Sequence, residues 1–168
     1  MIVLGIDTAL RTTGYGVIRL ENGVFSVLDC GVICNKASLK HGECLRRIFL
    51  GIKELIETFH PDAASIEAAF ANKNIKTTML LSMARGAAVS SAAICGIPVF
   101  EYSPKTAKRA AVGMGTAAKE QVASVLAAMC SLDVRQIPND ATDALALAVC
   151  HANIASRPEL AGLAGHEL

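Results

Sequence analysis

The chain has no tryptophan and few aromatics of any kind, only 4% of its 168 residues. A core without large rings must be filled by Ala, Val, Ile and Leu. Cysteine pairs spaced as C-x-x-C are missing too. The six cysteines, at 30, 34, 44, 95, 130 and 150, fall partly in apolar runs such as "AAICGI". They read as small buried hydrophobes in a reducing compartment, which excludes a disulfide framework and a zinc site. Long uncharged apolar stretches are lacking as well. Asp7 and Arg11 interrupt the first run, against a signal peptide, and Arg85, Lys108 or Lys119 break the Ala-rich ones before spanning length. A cytoplasmic protein is expected. No linker, repeat or low-complexity segment divides the sequence.

Just over half of the residues are apolar (52%), so disorder is excluded and one domain with a real core is expected. The expected domain covers residues 1–156, with 157–168 a flexible C-terminal tail rich in glycine. Net charge is only +1, yet it is polarised. Residues 71–119 hold Lys73, Lys76, Arg85, Lys105, Lys108, Arg109 and Lys119 against Glu101 alone, a net +6, which leaves −5 elsewhere. Such a distribution suggests a face that meets anions, and solvated surface lysines are the plainer explanation.

Apolar periodicity orders the elements. "IVLGID" is a short strand, and "ENG" joins two further β-type runs as a hairpin turn. Leu45, Ile48, Phe49, Ile52, Leu55, Ile56 and Phe59 recur at helical spacing. "AASIEAAF" is an interior strand, and a small-residue helix follows, with Gly96 just past its end. "IPVFEYS" is the next strand. Ser103 then caps, and Pro104 opens, another helix. A helix over "TAAKEQVASVLAAMC" precedes a long apolar one that starts at Asn139 or Asp140. Three strands followed by alternating helices and strands predict an α/β fold with a mixed five-stranded sheet flanked by helices.

Four acids stand in apolar surroundings: Asp7, Glu67, Asp140 and Asp143. The last two are three residues apart on one helix face, at an end where the helix dipole favours anions. Each has a plainer role: a cap for Asp140, a surface position for Glu67, a turn for Asp7. If they converge, charges ~4 Å apart repel by roughly 4 kcal/mol at an effective dielectric near 20, so cations must compensate them. An all-oxygen set suits Mg²⁺ or Mn²⁺, and two such ions would support phosphodiester hydrolysis.

"LGID", "TGYGVI", "SIEAAFANKN", "MARG", "PVFEYSPKTAKRAAVGMGTAAKEQV" and "NDATDALALA", in this order, resemble the RuvC family of crossover junction endodeoxyribonucleases. The resemblance runs from residue 2 to about 155. It implies a ribonuclease-H-like fold, a homodimer and Mg²⁺-dependent resolution of Holliday junctions by paired symmetric nicks. Two Mg²⁺ per subunit are implied, with Mn²⁺ as a substitute. So are catalytic and metal-binding roles for Asp7, Glu67, Asp140 and Asp143, and basic roles near the scissile phosphate for Lys108 and Lys119. Phe70 matches an aromatic that engages junction bases; a core phenylalanine is its ordinary role. The basic band of Lys73, Lys76, Arg85, Lys105 and Arg109 would hold DNA phosphates. RuvA and RuvB are the implied branch-migration partners. One departure stands out: the family usually follows the first Asp with Pro-Gly, and here Thr8-Ala9-Leu10 stands instead. Two other readings remain open at this point. One is half of an actin-like or kinase-like ATPase, suggested by the "GID…TGYG" opening; the other is a junction-binding module that does not cut.

Overall fold

The computed structural model describes residues 1–69, 74–112, 116, 119–130 and 137–168. Strand β1 (Ile2–Asp7) is followed by the hairpin β2 (Thr12–Glu21) and β3 (Val24–Cys34). Asn22 and Gly23, with φ of 51° and 79°, make that turn, the positive-φ pair that suits a tight hairpin. Helix α1 (His41–Phe59) buries Cys44, Ile48, Ile52 and Ile56, one residue per turn, as its periodicity predicts. Strand β4 (Ala63–Glu67), helix α2 (Ile75–Ile94) and strand β5 (Val99–Tyr102) come next. Helices α3 (Pro104–Val112), α4 (Lys119–Cys130) and α5 (Asn139–Ser156) complete the helical set among the described residues.

The sheet has the order β3-β2-β1-β4-β5-β6. The first three strands are antiparallel neighbours, whereas β1, β4 and β5 run parallel. Five strands were expected; the sixth, β6 (His166–Glu167), comes from the tail stretch and pairs antiparallel with β5. Two residues are too short to carry a periodic signal. What seats them is Gly165, where a Cβ would lie 2.7 Å from the Glu101 carbonyl oxygen and the Tyr102 ring. Pro158–Leu163 form a 3₁₀ turn whose Leu160 and Leu163 pack beside Tyr102, Ala107 and Ile154.

Alternation along the strands sorts the two faces. Leu4, Ile6, Ala64 and Ile66 pack against α1 and α2. Val3 and Ile18 face α5 and α4. On that second face α5 lies almost on the backbone of the sheet. A Cβ at Gly5 would come 1.9 Å from the Ala144 carbonyl oxygen, and one at Gly14 2.0 Å from that of Asp140. The Ser65 hydroxyl adds a 2.6 Å hydrogen bond to the Leu147 carbonyl. This close approach explains the small-residue composition of α5, buried from Ala141 to Ile154 except at Asp143. The cysteines are mixed: Cys44 and Cys150 are buried, Cys30 and Cys95 half-buried, and Cys34 is exposed, against the expectation of uniform burial. No helix among the described residues is long and apolar enough to cross a membrane.

Candidate active site

Parallel pairing of β1 with β4 sets Ile6 beside Ile66, so the next residues, Asp7 and Glu67, end neighbouring strands side by side. Neighbouring strands lie about 4.8 Å apart. Asp7 shares a face with Val3 and Gly5, and Glu67 with Ser65, and both faces look toward α5. Asp7 also pairs with Gly14 in the ladder to β2, the glycine over which the Asp140 carbonyl sits. The helix start is thereby laid across the strand ends, and all four acidic positions come to one end of one face.

Asp140 and Asp143 are both half-exposed and within the first turns of α5. Neither Asn139 nor Asp140 is the cap: Pro138 takes that place, with no side-chain hydrogen bond. Glu67, Asp143 and Lys108 line a cavity of about 220 Å³ walled by Pro104, Ala107 and Leu147. Lys108 reaches it because Ser103 accepts the Thr106 amide at 3.0 Å and starts α3 directly beyond Tyr102, the ladder partner of Glu67.

Among the described residues no three His, Cys, Asp or Glu side chains are gathered closely enough to enclose a metal ion. The acids share a face and an end, not a closed coordination sphere. Their donor chemistry nonetheless fits a hard divalent cation: carboxylate oxygens only, on neighbouring backbone positions, with neither His nor Cys on the cavity wall.

The other expected residues are distributed as follows. Lys105 and Arg109 are exposed on α3, and Lys76 is exposed in the first turn of α2. Arg85 is engaged elsewhere: its guanidinium bonds the Glu101 carboxylate, with side chains only 14% and 28% exposed, and so ties α2 to β5. Phe70 and Lys73, and the Lys119 side chain, lie outside the described residues.

Thr8-Ala9-Leu10 proves to be held by side chains rather than by a proline-glycine bend. The Thr13 hydroxyl donates to the Ala9 carbonyl at 2.8 Å, and the Asn35 amide to that of Leu10 at 2.9 Å. Leu10 itself is buried in the core. Arg11 donates to the Lys36 and Leu39 carbonyls. Sequence reasoning missed Asn35 and Arg11 in this role. The signal available was the missing turn chemistry, which demanded another way to fix the segment after Asp7.

A mixed sheet of this order, with acids at adjacent strand ends and at the start of the helix packed on them, defines the ribonuclease-H-like class. Residues 3–151 match the family model described as crossover junction endodeoxyribonuclease RuvC. The crossover junction endodeoxyribonuclease RuvC of Ruminiclostridium cellulolyticum is 45% identical over 153 residues, 91% of this chain and 92% of that protein. Its counterpart in Alkaliphilus metalliredigens is 42% identical, covering 91% and 93%. Thermus relatives extend the likeness to structure: T. thermophilus RuvC in complex with Holliday junction substrate superposes with a TM-score of 0.90 at 30% identity, covering 100% of this chain and 99% of that one. The chain belongs to the RuvC family of crossover junction endodeoxyribonucleases.

Proposed function

We propose that this endonuclease resolves Holliday junctions by hydrolysing one phosphodiester per subunit, with Asp7, Glu67, Asp140 and Asp143 as the ligands of divalent ions. The observation that carries the reading is the meeting of two strand ends and the α5 start, with Asp143, Glu67 and Lys108 on one cavity wall. These acids would hold two Mg²⁺ ions, or Mn²⁺ in their place, and the bound ions would supply water activation and charge stabilisation at the phosphate and the leaving oxygen. The chain's own residues do the rest. Carboxylates brought to one end of a face repel one another, and divalent ions would relieve that repulsion. Lys108 places a positive charge at the cavity to hold the phosphate. Lys119, the first residue of α4, is assigned the same task. A water nucleophile needs no covalent enzyme intermediate.

Lys76, Lys105 and Arg109, exposed on α2 and α3, supply phosphate contacts, joined by Lys73. Phe70 is assigned to stacking on a junction base, worth about 1–3 kcal/mol. Helix α2 exposes Ile75, Met79 and Met83 along one i, i+4 row, and the Cβ position of Gly86 is open. A second copy of the chain covers this row in our reading, since two symmetric nicks require two equivalent sites. RuvA and RuvB are the proposed partners, and the cytoplasm, where the DNA lies, the proposed location.

The test is a labelled four-way junction incubated with the protein. Paired, symmetry-related nicks with Mg²⁺, lost on chelation and regained with Mn²⁺, are expected. Cutting that survives complete removal of divalent ions would overturn the assignment of the acids; binding without any cutting in Mg²⁺ would make the chain a junction-binding module.

A further inference from the structure

The sequence places its basic band at 71–119, and the fold assembles a second one. The ladder sets Thr12 opposite Cys34 and Gly14 opposite Asp7, so the loop that begins at Asn35 leaves the sheet at the acid end. That loop is locked to the segment after Asp7. The Asn35 amide nitrogen of the backbone donates to the Arg11 carbonyl at 2.8 Å, and its side chain, 6% exposed, donates to the Leu10 and Cys44 carbonyls. Arg47 donates to the Asn35 side-chain oxygen at 2.9 Å and to the Cys34 carbonyl. Arg11 donates to the Lys36 and Leu39 carbonyls and to the Cys44 sulfur. These acceptors are neutral; the Glu43 carboxylate acts on Arg47 through space, and no ion pair with a carboxylate holds either guanidinium among the described residues.

Lys36 and Lys40 are exposed on the same loop. Glu43 is the nearby acid in sequence, and its carboxylate is taken by Arg46 through two bonds of 2.9 and 2.7 Å. Four cations thus gather here from three places, Lys36 and Lys40 on the loop, Arg11 on the segment that follows Asp7 and Arg47 in α1, joined by buried hydrogen bonds.

Position decides what they meet. In the order β3-β2-β1-β4-β5 the acids end β1 and β4, in the middle. Helix α3, with Lys105, Lys108 and Arg109, follows β5 on one flank, and the Asn35–Arg47 stretch follows β3 on the other. A polyanion laid across the acid end toward α3 continues, on its other side, over Arg11, Lys36, Lys40 and Arg47. We propose that these residues form a second phosphate-binding platform, which grips the DNA backbone of a junction arm on the flank opposite α3. The proposal rests on the chain's acting on junction DNA.

The variant Lys36→Ala/Lys40→Ala tests it, because both side chains are exposed and outside the hydrogen-bond lock. Binding of a fluorescent four-way junction is measured against salt, without divalent ions so that nothing is cut. Each lost phosphate contact lowers the slope of log K against log salt by about 0.9. The platform predicts a slope shallower by about 1.8, an affinity gap that closes at high salt, and recovery in Lys36→Arg/Lys40→Arg. A slope equal to the parent's overturns it. If the parent binds but does not cut in Mg²⁺, the nuclease reading falls and the slopes still decide the platform. If the parent does not bind the junction, both fall.

Discussion

The two ends of α5 follow opposite rules. Its first turns carry Asp140 and Asp143 as half-exposed carboxylates. Its last turns bury His151 and Asn153 and give each a neutral partner. The Tyr102 hydroxyl lies 2.8 Å from His151 Nδ1, and Asn153 donates to the Ala110 carbonyl at 2.9 Å. Burial holds the Tyr102 hydroxyl up at about 12, so it stays protonated, while it pushes the His151 imidazolium down and keeps that ring neutral. Gly165 donates its amide to the same hydroxyl and draws the last strand into the arrangement. One end keeps its carboxylates half-exposed at the surface; the other encloses its polar groups in the fold. A single helix can do both because its start is pressed on Gly14 and its middle on Gly5, which seats the whole rod on the sheet.

The largest expected effect breaks the acid end alone. Asp143→Asn should slow junction cutting by about a thousandfold, a loss of about 4 kcal/mol in transition-state stabilisation, with junction binding kept. Asp7→Asn should behave alike, measured as initial nicking rate in Mg²⁺; full cutting by either would remove it from the site. Next comes the seat of the helix start on the sheet. Gly14→Val should cost at least about 3 kcal/mol in denaturant unfolding, because its side chain meets the Asp140 backbone. An unchanged midpoint would mean the helix is free to rise.

Smaller effects belong to the buried end. Tyr102→Phe leaves His151 Nδ1 and the Gly165 amide without their partner and should lower stability by about 1–3 kcal/mol, with nicking per folded molecule kept. Loss of cutting at full folding would show that the two ends are coupled. The smallest effect is a pH slope. His151 has a folded pKa below its ordinary 6.5, so the unfolded chain takes up the proton first. Its contribution is fully present above pH 6.5 and is lost as pH falls through the folded pKa. His151→Gln should therefore lose less stability than the parent between neutral and mildly acid pH, as read by thermal melts; parallel curves would exclude the ring as the source.

Much of this was legible from the sequence where one residue type can satisfy only one environment. The α1 row Cys44, Ile48, Ile52, Ile56 buries as its period requires, and the hairpin turns at Asn22–Gly23. Asp7, Glu67, Asp140 and Asp143 stood out because carboxylates are rare in apolar runs. Pairings between distant segments were not legible. Arg85 looks like a cation for DNA until Glu101, sixteen residues away, proves to be beside it. Lys36 and Lys40 look like scattered surface charge until Arg11 arrives from another loop. Strand β6 has only two residues, and its place depends on a ring and a carbonyl that no local pattern announces.

The contact of α5 with Gly5 and Gly14 sets the tolerances of the whole machine. Where backbone rests on backbone there is no compliant layer to absorb a drift in side-chain size, so the gap between the strand ends and the helix start cannot widen gradually. Any added methyl works as a shim under a blade. A larger side chain at either glycine would have to lift the rod as a whole, whereas lysines on the outer loops are free to change without disturbing it.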